Sequence, residues 1–183
     1  MFFHLRPVVF LAKSRAETLP SATMDIELLR TVSIMRNLSE QELAEVAALF
    51  TRRDVKNKER ILQEGYPVKN FYIVCDGVAH VRRLAQKREM LLGTITKGKF
   101  FGEVNLFDPG VSTASIYAMK DLKLAVTDYE TLRTYMSANP ATGYKIVTAM
   151  MGETSRRLRS TSARLANSIY WTAAETLHPE GPM

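Results

Sequence analysis

Polar and apolar positions alternate with a helical period at both ends of the chain and with a period of two in between. Ile26, Leu29 and Val32 or Ser33 share one side of a first helix predicted from Ile26 to about Met35. Ser39-Glu40-Gln41-Glu42 then reads as a capping box, with Leu38 and Leu43 in the hydrophobic-staple positions. Leu43, Val46, Ala47 and Phe50 follow at i, i+3, i+4 and i+7, so that helix has one apolar face. From Thr51 the period becomes two. Strand-like runs occur at Arg52–Val55, Arg60–Leu62, Phe71–Cys75, Val78–Leu84, Met90–Ile95, Ser115–Ala118 and Leu122–Thr127. Glu64-Gly65, Asp76-Gly77, Lys97-Gly98 and Asp108-Pro109-Gly110 punctuate them, and Asp76-Gly77 carries a tight-hairpin signal. About eight short strands at this spacing predict a small antiparallel barrel or jelly roll.

Helical spacing returns after the strands. Asp128 can cap a short helix reaching Tyr135, and Asn139-Pro140 opens a longer one that can run to about Ser168. Along it Tyr144, Met151, Leu158 and Leu165 recur every seven residues, while Val147, Thr154 and Thr161 fill the position three later. Gly143 and Gly152 each weaken a helix interior by about 1 kcal/mol, so this helix needs something to pack on. Its own barrel and the helix of a second copy are both open. The expected class is therefore mainly β with flanking helices (α+β): an antiparallel β-roll over about 51–127, a helical lead-in and a long C-terminal helix over about 140–168. Residues 1–23 are expected to be a disordered leader, residues 24–168 the domain and residues 169–183 a tail. Met24, directly before the first helix, is an alternative translation start to Met1.

Of the 183 residues 46% are hydrophobic and 24% charged, enough apolar side chains for a real core. One cysteine, Cys75, excludes a disulfide scaffold and a Cys-based zinc site. It suits a reducing compartment, hence a cytoplasmic protein, and a buried thiol acting as a small hydrophobe. No apolar run reaches the length of a membrane span, so no membrane partner is expected. The net charge of +6 gathers at the ends. Residues 140–168 alone contribute +4, from Lys145, Arg156, Arg157, Arg159 and Arg164 against Glu153. A basic helix of this kind can attract nucleic acid, but a solvated face is the commoner use of such residues. Catalytic chemistry is sparse: His4, His80 and His178 form no evident triad or metal set, and no glycine-rich nucleotide loop of the P-loop or dinucleotide type occurs. Neither an enzyme, a metal site nor a cofactor is expected.

The informative stretch runs from Gly98 to Ser115, GKFFGEVNLFDPGVSTAS. Here the chain resembles the cyclic nucleotide-binding domain family, which includes catabolite-activator-type regulators, kinase regulatory subunits and gated channels. Phe101-Gly102-Glu103 resembles the start of that family's phosphate-binding cassette. Ser112-Thr113-Ala114-Ser115 stands where the family usually has Arg-Ser/Thr-Ala-Ser/Thr. Glu64-Gly65, the run Phe71-Tyr72-Ile73-Val74 leading to Gly77, and the helix opened by Asn139-Pro140 are similar in order and spacing. Arg156-Arg157-Leu158 with Thr161-Ser162 resembles the long helix of the catabolite-activator branch. Together these marks cover about residues 24–168.

The resemblance implies candidate ligand contacts at Phe101, Gly102, Glu103, Ser112, Thr113, Ala114, Thr161 and Ser162, with cAMP or cGMP as the ligand. Gly102 would let the backbone approach the ligand, amides of the following helix would face a phosphate, and Glu103 would take a ribose hydroxyl. In the family an arginine completes the set by pairing with the cyclic phosphate; here that position is Ser112. Losing one partner of a buried charged pair costs about 2–5 kcal/mol, so weak or absent cyclic nucleotide binding is expected. Lys99, where the family often has an acidic residue, is a candidate replacement cation. The expectation is a stand-alone sensor module without a DNA-binding or catalytic output domain, acting on an unknown protein partner and forming a homodimer through the 140–168 helix. Two alternatives stay open: a functional cAMP or cGMP site with a non-standard phosphate contact, and a DNA-associated regulator using Arg156, Arg157, Arg159 and Arg164.

Overall fold

The computed structural model of the chain describes residues 26–85 and 88–177. The expected leader, His4 and His178 lie outside the described residues. Helix α1 is shorter than its sequence pattern, spanning Ile26–Arg30; Val32 turns extended and a 3₁₀ turn, Ser33–Met35, replaces the rest. The break lets Leu29, Val32, Ile34 and Met35 all reach the core, which a continuous helix would not allow. Helix α2, Glu40–Ala47, begins with the complete capping box: Ser39 accepts from the Glu42 amide and the Glu42 carboxylate accepts from the Ser39 amide at 2.6 Å.

Eight strands follow: β1 Thr51–Val55, β2 Arg60–Leu62, β3 Asn70–Asp76, β4 Val78–Ala85, β5 Arg88–Thr96, β6 Phe100–Phe101, β7 Ser115–Ala118 and β8 Leu122–Asp128. They form two antiparallel four-stranded sheets, β1-β8-β3-β6 and β2-β7-β4-β5. The mainly antiparallel roll with flanking helices is the expected class. One turn has a different role from the one its sequence predicts. Asp76-Gly77 joins strands of different sheets, so it is a corner and not a hairpin. Gly77 has φ +89, and a Cβ there would sit 2.9 Å from the Asp121 carbonyl oxygen, so the corner requires glycine. β6 is too short for its alternation to show in the sequence; it pairs through Tyr72↔Phe101 and Ile73↔Phe100.

Strand β3 is apolar from Phe71 to Cys75 because both its faces are buried there. Phe71, Ile73 and Cys75 face a core shared with the helices, while Tyr72 and Val74 face the interior of the roll. The helical side of the core adds Leu43, Val46, Phe50, Leu132, Ile146 and Met150. Between the sheets Val55, Ile95, Phe101, Ile116, Leu122 and Leu124 fill the roll.

A short helix, α3, Glu103–Phe107, lies between β6 and β7. After β8, Asp128 caps helix α4, Tyr129–Ala138, which runs three residues past its predicted end. Pro140 is the first residue of helix α5, which continues to Leu177, nine residues beyond Ser168. The Asn139 side chain donates back to the Tyr135 carbonyl and so closes α4, while its own carbonyl accepts from Gly143 in the first turn of α5. Gly143 is needed there, since a Cβ would meet the Met136 carbonyl at 2.8 Å. Thr142 and Lys145 both bond the Glu42 carboxylate, which ties α5 to the cap of α2. No helix among the described residues is long and apolar enough to cross a membrane.

Candidate functional site

The cassette runs from β6 to the start of β7. Gly102 adopts φ +85, and a Cβ on it would lie 2.7 Å from the Asn70 carbonyl oxygen. The Tyr129 hydroxyl donates to the Gly102 carbonyl at 2.5 Å, and the Tyr129 amide donates to the Lys69 carbonyl. The close backbone approach at Gly102 is therefore made within the chain. Phe101 stacks on Tyr72, with ring centroids 4.7 Å apart and planes 7° from parallel, and its ring belongs to the interior of the roll.

Glu103, the first residue of α3, is 8% exposed. Its carboxylate accepts from Arg157 Nη1 at 3.0 Å, a residue of α5. The same guanidinium donates to the Phe100 carbonyl at 2.7 Å and lies 4.6 Å from the centre of the Phe100 ring. Burial pushes the Glu103 carboxyl above its ordinary value, and the Arg157 charge opposes that rise. One turn earlier on α5, Glu153 accepts from Lys99 Nζ at 2.7 Å and from Arg156 at 2.9 Å. Burial works to raise the Glu153 carboxyl, but the hydrogen bonds from Lys99 and Arg156 together hold it below its ordinary value. Two ion-pair clusters thus fasten α5 to the first half of the cassette.

From Pro109 to Ser115 the cassette carries no charged side chain. Ser112 is buried, its hydroxyl donates to the Ala114 carbonyl at 2.7 Å, its amide donates to the Tyr66 carbonyl and its own carbonyl accepts from Gly65. Every polar group of Ser112 is bonded inside the chain. Thr113 is exposed at the loop surface and Ala114 is buried beside it. Glu103 meets α5 through Arg157, whereas Thr161 and Ser162 stand on an exposed stretch of that helix. Thr161 accepts from Arg164, which also reaches the Leu92 carbonyl of β5. Among the described residues no hydrogen bond joins Thr161 or Ser162 to the cassette.

Lys99 places its ammonium on Glu153 rather than at the Ser112 end, so it does not stand in for the missing cation. Arg157 is the site residue that sequence reasoning missed in this role. It was visible as part of a basic helix, but no local pattern links it to a glutamate 54 positions away. Among the described residues no cluster of His, Cys, Asp and Glu could hold a metal ion.

Comparison with known proteins bears on this geometry. The family model described as "Cyclic nucleotide-binding domain" matches residues 52–139. The CRP-like cAMP-activated global transcriptional regulator of Mycobacterium tuberculosis is 26% identical over 145 residues, covering 79% of this chain and 63% of that protein. The cAMP-dependent protein kinase type II regulatory subunit of Drosophila melanogaster is 30% identical over 103 residues, 56% of this chain and 27% of that one. The chain thus spans less than two thirds of the length of either relative. A solved cyclic nucleotide-binding domain from Methylobacillus flagellatus superposes with a TM-score of 0.71 at 18% identity, covering 78% of this chain and 81% of that one; it shares the fold.

Proposed function

We propose, from the premise that residues 52–139 belong to the cyclic nucleotide-binding domain family, that this chain is a regulatory sensor module, not an enzyme, with a phosphate site too weak for ordinary cyclic nucleotide binding. The observation that carries this reading is the Ser112 end of the cassette. A buried serine whose three polar groups are all satisfied internally offers a cyclic phosphate neither charge nor a free donor. Replacing a paired cation in this way costs about 2–5 kcal/mol of binding. Calorimetry with cAMP and cGMP tests it. The parent should bind weakly or not at all, and Ser112→Arg should gain about tenfold or more for cAMP over 5′-AMP. Micromolar binding by the parent would overturn the reading.

A functional cAMP or cGMP site is the second reading, favoured by one observation: the Arg157 guanidinium already lies against the cassette at Glu103. In that case Arg157→Ala, not Ser112→Arg, would change affinity most.

Output through protein contact is supported by α5. Tyr144, Met151, Leu158 and Leu165 are 60–74% exposed, so the seven-residue stripe is not packed on its own roll. A homodimer through this helix would cover it with an identical stripe. The third reading, DNA association, is poorly supported. Arg157 pairs with Glu103, Arg156 with Glu153, and Arg164 bonds the Leu92 carbonyl, which leaves Arg159 as the one of the four without a hydrogen bond or ion pair among the described residues. A cytoplasmic setting fits the buried free thiol of Cys75.

A further inference from the structure

A cavity of about 320 Å³ is lined by the end of β2, the loop that joins β2 to β3 and the first residues of β3. Its wall includes Leu62, Gln63, Tyr66, Lys69, Asn70 and Tyr72. None of its nine lining residues carries a carboxylate. Among the described residues the side chains of Lys69 and Gln63 have no hydrogen bond or ion pair. The Tyr72 hydroxyl, on a residue 4% exposed, receives only a long 3.5 Å bond from the Asn70 amide. Tyr66, also in the lining, is 59% exposed. The lining is therefore rich in donors and free of negative charge, and it includes one lysine and an exposed tyrosine. From these features we infer a second ligand site that takes a small anion carrying a planar ring, such as an aromatic carboxylate. Lys69 would supply the charge, the Gln63 and Asn70 amides would fix the carboxylate, and Tyr66 and Leu62 would cover the ring.

The wall of this cavity is continuous with both ends of the cassette. Tyr72 stacks on Phe101 and lies against Gly102, and the Asn70 carbonyl is in contact with Gly102. At the other end Tyr66 and Gly65 bond Ser112, while Pro67 bridges to Val111. A ligand pressing on Tyr72 and the Tyr66 loop must move the cassette or be resisted by it, so occupancy here would be felt at Gly102 and Ser112 without any cyclic nucleotide.

Titration of the whole chain with indole-3-carboxylate, followed by amide resonances in two-dimensional NMR, tests the site. Saturable shifts are expected at Gly65, Tyr66 and Asn70, extending to Gly102 and Ser112. Neutral indole-3-carboxamide should bind at least about tenfold more weakly. Lys69→Glu, at an exposed position that leaves the fold intact, should abolish the shifts, and Lys69→Arg should retain them. Absence of saturable shifts at millimolar probe, or equal binding by Lys69→Glu, would overturn the inference. The cyclic nucleotide reading of the cassette stands or falls separately, because its variants lie at Ser112 and Arg157.

Discussion

The two halves of α5 live in different environments. From Thr142 to Arg157 the helix is held by the fold: Ile146 and Met150 are 1% exposed, Thr142 and Lys145 reach Glu42, and Glu153 and Arg157 grip Lys99 and Glu103. From Leu158 to Tyr170 every side chain is exposed, and the Arg164 bond to Leu92 joins this stretch to the body. Isolated helices of this length are marginal in water, and Ser160, Thr161, Ser162, Asn167 and Ser168 are poor helix formers. The docked half draws its stability from burial and paired charge; the exposed half is where the proposed partner would add its own. Leu158 and Arg157 are neighbours in sequence, yet one serves each purpose.

The sharpest way to break this contrast is Met150→Ala. The side chain is fully buried in the core shared with β3 and α4, so the variant should lose about 2–5 kcal/mol in urea unfolding. A loss below about 1 kcal/mol would mean that the first half of α5 is not held as described.

Arg157→Ala comes next, with a loss of roughly 1–2 kcal/mol at neutral pH, since the guanidinium is 34% exposed and partly screened. The pH dependence carries the mechanism. Burial already raises the Glu103 carboxyl above its ordinary value, and removing the arginine raises it further. A carboxyl whose folded pKa exceeds its unfolded one favours the folded state when protonated and loses stability as pH rises through it. The deficit should shrink as pH falls through the raised carboxyl's titration; an equal deficit at pH 7.5 and pH 4.5 would rule out Glu103 as its source.

Glu42→Gln should lower the melting temperature at pH 7 by less than Arg157→Ala does. Hydrogen bonds from Lys145, then from the Ser39 amide, hold the Glu42 carboxyl down to about 2, against an ordinary value of 4.5. That contribution is present above the ordinary value and is lost as pH falls toward 2. Parent and variant should therefore converge in melting temperature near pH 2, and a constant difference across the range would contradict this account. The smallest effect on the fold belongs to Leu158→Glu, within about 0.5 kcal/mol when unfolding is measured at high dilution. Light scattering at high micromolar concentration should show a dimeric parent and a monomeric variant. A monomeric parent would leave the exposed half of α5 without its proposed partner.

Local patterns were the most legible part of the sequence. The Ser39–Glu42 box and the Asp128 cap are complete within four residues, so their geometry follows from their own spacing. The strand ranges followed from alternation, except for β6, whose two residues are too few to show a period. Asp76-Gly77 shows the limit of such signals: a turn tells where the chain bends, but not whether the next strand pairs with the last or crosses to another sheet. At the candidate site the replacement at Ser112 was legible as a missing charge. The bonds that occupy it, to Tyr66, Gly65 and Ala114, were not.

What the sequence determined by itself are the features whose energy is spent within a few residues: caps, glycine turns, the alternation of the roll and the seven-residue stripe of α5. Tertiary structure decided which of these features meet. It put Arg157 on Glu103 and Lys99 on Glu153, set Gly102 against the Asn70 carbonyl, and left Leu158 and Leu165 facing outward. The physical reason is range. Backbone propensity and capping act within one helical turn, whereas desolvation and charge pairing depend on which surfaces the whole chain brings together, and residues 54 positions apart hold no record of that in their own neighbourhoods.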